Sequence, residues 1–205
     1  MVVLKPRTAT PELVINTLKG SWSLAQQTPE NFTMLVVYRG LHCPICKNYL
    51  RELSRLADDF SAKGVNIITL SSDTQERAQL ASTEWEIENL TMGYGLTVEQ
   101  SQAWGLHRSA GRGVTSIGIE EPTEFTEPGL YLVRPDGTLY WSNINTMPFA
   151  RPHYSLFVLI DSSKKNSTLV IRVLLFLFLR RLIKWLHRLI LGHRCLLIPT
   201  RYCAE

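Results

Sequence analysis

Residues 36 to 47 of the chain read VVYRGLHCPICK, a stretch in which an apolar run leads directly into two cysteines. The apolar and β-branched residues at 34–38 predict a buried strand. Pro44 suits the first position of a helix, because its missing N–H is not needed there. Cys43 is therefore expected at or just before a helix N-terminus, with Cys46 one turn further in. The helix is supported by apolar residues at helical spacing after Lys47, namely Leu50, Leu53, Leu56, Ala57 and Phe60.

The Cys-x-x-Cys pair at this junction predicts redox chemistry. A thiolate on Cys43 would lie near the unpaired N–H groups and the positive end of the helix dipole, which lower its pKa. Cys46 is close enough in sequence to resolve a sulfenic acid or a mixed disulfide formed on Cys43. Arg39 and His42 are either simple flanking residues or a further source of positive potential that lowers the same pKa.

Two other interpretations of the pair stay open, namely half of a zinc site and two inert buried thiols. A structural zinc site needs a second pair of ligands. The other two cysteines, Cys195 and Cys203, lie far downstream, and His187 and His193 do not have the spacing of a zinc finger. Cys-x-x-Cys beside a βαβ pattern, in a chain without a signal peptide, favours the redox interpretation. No metal and no cofactor is expected.

Charge is distributed unevenly along the 205 residues, whose net charge is +4. Residues 1–150 hold 12 Lys and Arg against 16 Asp and Glu, whereas residues 151–205 hold 10 against 2. This split predicts a tail whose partners differ from those of the body, and the acidic body gives no reason to expect nucleic acid. The first 18 residues lack the apolar run of a signal peptide, which favours a cytoplasmic location.

The body around the cysteines alternates between helical and extended patterns. Residues 11–18 are a candidate for a short amphipathic helix. The helix that carries the cysteines is expected to end near Gly64, a plausible C-terminal cap. Residues 65–70 then read as a second strand, which the right-handed crossover rule makes parallel to the first. Asp73 is expected to cap the next helix.

The second half of the body contains a long irregular stretch at 107–128 and a hairpin at 129–141. Loops as long as the first are often functional. The hairpin is predicted by two β-rich runs on either side of Pro135-Asp136-Gly137.

The segment YRGLHCPICK after a hydrophobic strand resembles the peroxiredoxin-like branch of the alkyl hydroperoxide reductase/thiol-specific antioxidant family, within the thioredoxin-fold superfamily. The resemblance runs from about residue 21 to about residue 154. It implies an α/β, thioredoxin-like fold with a central mixed sheet flanked by helices. It also implies that Cys43 attacks and that Cys46 is its partner.

One position departs from the pattern of this family. Typical peroxiredoxins place Thr or Ser three residues before the attacking cysteine, where its hydroxyl hydrogen-bonds the peroxide. In this chain Gly40 lies three residues before Cys43, and Cys43 itself lies three residues before Cys46. This departure favours thiol–disulfide exchange over peroxide reduction.

Pro128 is a further candidate site residue by resemblance. Thioredoxin-like proteins carry a cis proline just before the hairpin, where it lies against the redox cysteines. Pro128 resembles that residue by its spacing to Asp136-Gly137. The alternative is an ordinary loop proline.

The resemblance stops near residue 155, which predicts a thioredoxin-like domain at 1–154 and an atypical basic, hydrophobic, helical tail at 155–205. Within the tail, residues 169–191 place basic side chains on one helical face and Leu and Trp on the other. This pattern suits an anionic membrane surface, although its longest uncharged run, 173–179, is too short to cross a bilayer. Non-native sequence in place of the family's C-terminal helix fits the composition of the tail equally well, and a helix that binds a partner's groove is a further alternative.

The sequence thus predicts a thiol-dependent oxidoreductase that reduces hydroperoxides or disulfides through Cys43 and Cys46. An external thiol reductant, of the thioredoxin or glutathione type, would recycle the pair. The alternative is a non-catalytic thioredoxin-fold binding protein that associates with a membrane surface through its basic tail. Homodimerisation is left open by the sequence.

Overall fold

The computed structural model describes residues 3–158, which form a mixed α/β fold. The predictions for the tail, including the amphipathic segment at 169–191, lie outside the described residues. No helix among residues 3–158 has the length and apolar character needed to cross a membrane.

The described residues contain nine strands, five α-helices and a 3₁₀ turn at Leu24–Gln26. The strands are β1 Val14–Thr17, β2 Gly20–Ser23, β3 Phe32–Val37, β4 Val65–Leu70, β5 Met92–Tyr94, β6 Arg108–Ala110, β7 Glu124–Thr126, β8 Gly129–Val133 and β9 Leu139–Ile144. The helices are α1 Pro44–Arg55, α2 Ala57–Ala62, α3 Gln75–Glu84, α4 Val98–Ala103 and α5 Ser155–Val158.

Seven of these strands form one mixed sheet in the order β2-β1-β5-β4-β3-β8-β9. Strands β3, β4 and β5 run parallel, and β8 is antiparallel to β3. The prediction of a parallel β3–β4 unit joined by a helical crossover is therefore confirmed, as is the central mixed sheet. Gly64 ends the crossover with φ of +65°, as its expected role as a helix cap requires.

Strand β3 lies inside the sheet, between β4 and β8, and is buried along almost its whole length. Leu35 and Val37 pack in a core cluster with apolar residues from neighbouring strands, among them Ile68 and Tyr131. The chain stays in the ladder as far as Tyr38, whose N–H donates to the Leu70 carbonyl at 2.9 Å. The turn that follows therefore begins from a rigid strand end, and this fixes where α1 begins.

The prediction of a helix at residues 11–18 is wrong, because this segment contains strand β1. Leu13, Ile15 and Thr17 are buried, whereas Val14 and Asn16 are exposed. The alternation has a period of two, which is the strand pattern, and the β-branched residues fit it. The short apolar run was compatible with both periods, and pairing with β2 and β5 selects the strand.

The prediction that Asp73 caps α3 is also wrong. Thr74 is the cap, and its Oγ1 accepts a hydrogen bond from the Arg77 N–H at 3.4 Å. The Asp73 carboxylate instead turns into the interior, where two other donors use it. The cap falls one residue later than the sequence pattern indicated.

Two hairpins shape the second half of the described chain. The β8–β9 hairpin is confirmed, and Asp136 holds its turn by accepting the Thr138 N–H at 2.9 Å. The stretch predicted to be irregular at 107–128 is a second hairpin in part, since β6 pairs with β7. Residues 111–123 join these two strands.

Placing a residue with a Cβ at positive φ typically costs about 1 kcal/mol, and we expect Gly64→Ala to destabilise the protein by more than this. A Cβ at Gly64 would lie 2.5 Å from the Cβ of Glu30, so steric overlap adds to the backbone strain. Gly95→Ala is the matched control, because Gly95 has a similar φ of +70° and nothing within 4 Å of an added Cβ. Urea unfolding of the full chain measures both, and equal losses would contradict the steric argument.

Candidate redox site

The two cysteines lie at the N-terminus of α1, as the sequence predicts. Cys43 is the N-cap with extended backbone (φ −102°, ψ 102°), and Pro44 is the first helical residue. The Cys43 Sγ accepts a hydrogen bond from the Cys46 N–H at 3.2 Å. Both cysteines are free thiols, and Cys43 is 2% and Cys46 0% exposed. The geometry is that of a thiol cap on a helix, with the second thiol directly behind it.

Arg151 is a site residue that the sequence reasoning missed. It follows β9 by several residues, and its Nη2 donates to the Cys46 Sγ at 3.1 Å. Its Nε donates to the Pro148 carbonyl at 3.0 Å, and its guanidinium lies 4.6 Å from the centre of the Tyr49 ring. The Tyr49 hydroxyl donates to the Pro152 carbonyl at 2.8 Å, so helix α1 itself holds this segment over Cys46.

The surroundings of the two thiols differ, and their pKa values move in opposite directions. Burial opposes ionisation of Cys46. It is outweighed by the hydrogen bond from the Cys43 thiol, the Arg151 guanidinium and the backbone N–H of Arg39, so the pKa of Cys46 is lowered. Donation of its proton to Cys46, together with burial, raises the pKa of Cys43. The Arg151 contact therefore favours a negative charge on Cys46 over one on Cys43.

This result corrects the expectation that the helix terminus lowers the pKa of Cys43. Cys43 accepts one backbone N–H, whereas Cys46 accepts a charged guanidinium. The contacts of full hydrogen-bond donors outweigh the partial charge of the helix end. The structure thus favours Cys46 as the thiolate of the pair.

His42 and Arg39 flank the cysteines but contribute little positive potential to them. Burial lowers the pKa of His42 to about 4, and the opposing effect of Asp73 does not restore it, so the ring is neutral at pH 7. The Arg39 guanidinium forms ion pairs with Glu121 at 3.3 Å and Glu127 at 3.6 Å. Its charge is therefore balanced by the β6–β7 hairpin and by the residue that precedes Pro128.

Pro128 begins the segment that leads into β8, and the expectation of a cis peptide bond there is wrong. No cis peptide bond occurs among the described residues. The chain runs extended through this point, with the Glu127 N–H donating to His107 and the Pro128 carbonyl accepting from Asn145. These two bonds continue the pairing on either side of the Glu127–Pro128 peptide, which is trans, the ordinary state of a peptide bond.

Within residues 3–158, no group of three or more His, Cys, Asp or Glu side chains has the arrangement of a metal site. The downstream residues weighed as zinc ligands, Cys195, Cys203, His187 and His193, lie outside the described part of the chain.

The model of the AhpC/TSA family matches residues 6–142. The chain belongs to the AhpC/TSA family. The match covers β3, the cysteine pair, β8 and the first part of β9, and it makes the protein a thiol peroxidase or thiol–disulfide oxidoreductase. Arg151 lies beyond the matched range.

Solved structures similar to this chain are peroxiredoxins and other proteins of the thioredoxin fold. Peroxiredoxin 6 of Arenicola marina matches with a TM-score of 0.60 and 16% identity, over 76% of this chain and 71% of its own. Reduced Prx3 of Vibrio vulnificus, in complex with H₂O₂, matches with a TM-score of 0.57 and 15% identity, over 73% of this chain and 92% of its own. A yeast mitochondrial 1-Cys peroxiredoxin matches with a TM-score of 0.59 and 11% identity, over 76% of this chain and 74% of its own. At these identities the likeness establishes the fold, and a search of curated proteins finds no match.

We expect Arg151→Gln to shift the pH profile of Cys46 alkylation towards higher pH. A lowered pKa keeps the thiol ionised until the pH falls through that lowered value, and loss of the guanidinium raises it. Iodoacetamide labelling, read by mass spectrometry at Cys46, measures the profile. Arg134→Gln is the matched control, because Arg134 also lies over a tyrosine ring, at 4.7 Å from Tyr140, but away from the thiols. Identical profiles for the two variants would refute the role of Arg151.

Proposed function

We propose that this protein is a thiol peroxidase in which Cys46 is the attacking thiolate. The observation that carries this proposal is the 3.1 Å contact between Arg151 Nη2 and the Cys46 Sγ. A guanidinium at this distance stabilises the thiolate, and only the thiolate is nucleophilic. Arg151 Nη1 is buried and has no hydrogen-bond partner among the described residues, which leaves a donor available to a peroxide oxygen.

Assigning the attack to Cys46 also accounts for the departure at Gly40. Peroxiredoxins carry a hydroxyl donor three residues before the attacking cysteine, and the residue three before Cys46 is Cys43. Hydrogen bonding by the Cys43 thiol is among the causes that lower the pKa of Cys46. In this proposal Cys43 takes the place of the hydroxyl donor, and Gly40 no longer occupies a catalytic position.

The first step of the proposed reaction is attack of the Cys46 thiolate on the terminal oxygen of a hydroperoxide. A sulfur–oxygen bond forms, the oxygen–oxygen bond breaks, and the alkoxide or hydroxide that leaves takes a proton from water. Cys46 becomes a sulfenic acid. In the second step the Cys43 sulfur attacks that sulfenic sulfur, and the thiol proton of Cys43 leaves with the hydroxide as water. The product is a Cys43–Cys46 disulfide.

An external thiol reductant then returns the pair to two thiols by disulfide exchange. Two of the similar structures support this part of the proposal. The Vibrio vulnificus protein was solved with H₂O₂, and the yeast protein is resolved through glutathione and thioredoxin systems. We extend both to this chain as the expected oxidant and the expected class of reductant. Cytoplasmic location, homodimerisation and membrane association of the tail stay predictions.

Replacing each cysteine in turn tests the order of the roles. Cys46→Ser should reduce hydroperoxide consumption under a dithiol reductant by about 100-fold or more, because the nucleophile is gone. Cys43→Ser should keep the first turnover, since a hydroxyl can still donate to Cys46, and should accumulate a sulfenic acid that dimedone traps at Cys46. Cys43→Ala removes the donor as well and should slow that first turnover.

The opposite pattern would contradict this assignment. If Cys43→Ser abolishes even the first turnover while Cys46→Ser retains it, Cys43 is the attacking residue, as the sequence alone suggested. Absence of peroxide consumption by the unmodified protein, with a Cys43–Cys46 disulfide that exchanges with protein disulfides, would instead favour the disulfide oxidoreductase.

A further inference from the structure

Asp73 is a buried carboxylate directly behind the turn that leads to the cysteines. It follows β4 at the carboxyl end of the parallel strands, and its side chain is 0% exposed. Its Oδ2 accepts the Leu41 N–H at 2.7 Å, and its Oδ1 accepts the Arg77 Nε at 2.9 Å. A buried carboxylate is tolerated when both of its oxygens accept hydrogen bonds, and in Asp73 each oxygen has its own donor.

The turn at residues 40–43 lies so close to this carboxylate that only glycine fits at residue 40. Gly40 has φ of +141°, and a Cβ there would lie 2.6 Å from the Asp73 Oδ2. The Gly40 carbonyl in turn accepts the Cys43 N–H at 3.1 Å. One chain of contacts therefore runs from Asp73 through Leu41 and Gly40 to the residue that caps α1.

We propose that Asp73 is a positioning residue that holds the turn at residues 40–43 and thereby fixes the Cys43 sulfur beside Cys46, where it accepts the Cys46 N–H. Its action is indirect, since its hydrogen bonds go to Leu41 and Arg77 and not to either thiol. This inference rests on the proposed function for its effect on peroxide reduction. Its effect on the reactivity of Cys46 does not depend on what the oxidant is.

The chemistry of the site distinguishes a carboxylate from an amide at this position. Leu41 N–H and Arg77 Nε are both donors, and a carboxylate accepts from both. An asparagine offers one oxygen and one NH₂, so one of the two donors would face another donor. Asp73→Asn should therefore release either the turn or the Arg77 side chain, although the two residues have nearly the same shape.

The two possible roles of Asp73, through its charge or through the turn, predict shifts of the Cys46 pKa in opposite directions. Tyr38, His42 and Arg77 face the carboxylate from the end of β3, the turn and α3. Arg151 faces the thiols from the segment after β9. If Asp73 acted only through its charge, its neutralisation would stabilise a nearby thiolate and lower the pKa of Cys46. If it positions the donors of Cys46, loosening the turn raises that pKa.

The test compares the pH profile of iodoacetamide labelling at Cys46 in the full chain and in Asp73→Asn. We expect the profile to move to higher pH, and a shift of one pH unit would slow labelling by about tenfold at pH values well below the pKa of Cys46, where only a small fraction of the thiol is ionised. Asp136→Asn is the control, because Asp136 likewise accepts a backbone N–H and a second donor but lies exposed in the β8–β9 turn. An unchanged profile, or a shift to lower pH, would overturn the inference.

A second variant covers the case in which Asp73→Asn does not fold. Gly40→Ala keeps the carboxylate and pushes the turn away from it, so it should move the Cys46 profile in the same direction. An unchanged profile in folded Gly40→Ala would count against the inference as well. Peroxide turnover is measured in parallel with the labelling. If the unmodified protein consumes no hydroperoxide but the variants shift the labelling profile, the proposed function fails and the positioning role stands. If the unmodified protein consumes hydroperoxide but the variants leave the labelling profile unshifted, the proposed function stands and the positioning role fails.

Discussion

An ionised sulfur inside a protein has to be surrounded by donors, and the site depends on how Cys46 meets this requirement. Its side chain is fully buried, so water does not stabilise the charge. The guanidinium of Arg151, 105 residues away in sequence, supplies the full positive charge. Cys43 and the backbone of Arg39 lower the pKa of Cys46 further. Helix α1, the end of β3 and the segment after β9 must all be in place before the thiolate is stable.

The charges around the turn are arranged so that this positive potential reaches Cys46 from one side. Arg39 is paired with Glu121 and Glu127, and Arg77 is paired with Asp73. The neutral His42 ring lies between these pairs and packs against Phe125, with ring centres 4.7 Å apart. Arg39 and Arg77 thus hold the turn and the β6–β7 hairpin. Among the arginines at residues 3–158, Arg151 is the one that contacts a cysteine sulfur.

The parts of this arrangement that depend on residues adjacent in the sequence were predictable from the sequence alone. The strand at 34–38, the helix N-terminus at Pro44 and the hairpin at 135–137 each follow from a few adjacent side chains. Arg151 and the buried role of Asp73 depend on contacts across the fold, and no local pattern marks them. Residues 11–18 were predicted wrongly for the same reason, because partner strands decided between two periods that the short run permitted.

The order of the two thiols shows how the local argument failed. A helix N-terminus offers a partial positive charge to whichever thiol caps it, and on that ground alone Cys43 ionises first. Cys43, however, is itself a donor, and it has a better acceptor one turn further along the helix. Once Arg151 lies beside Cys46, moving the proton to Cys43 gains a charge-assisted contact and gives up only the weaker interaction with the helix end. Between identical residues, the position with more donors carries the charge, and counting those donors requires the tertiary structure.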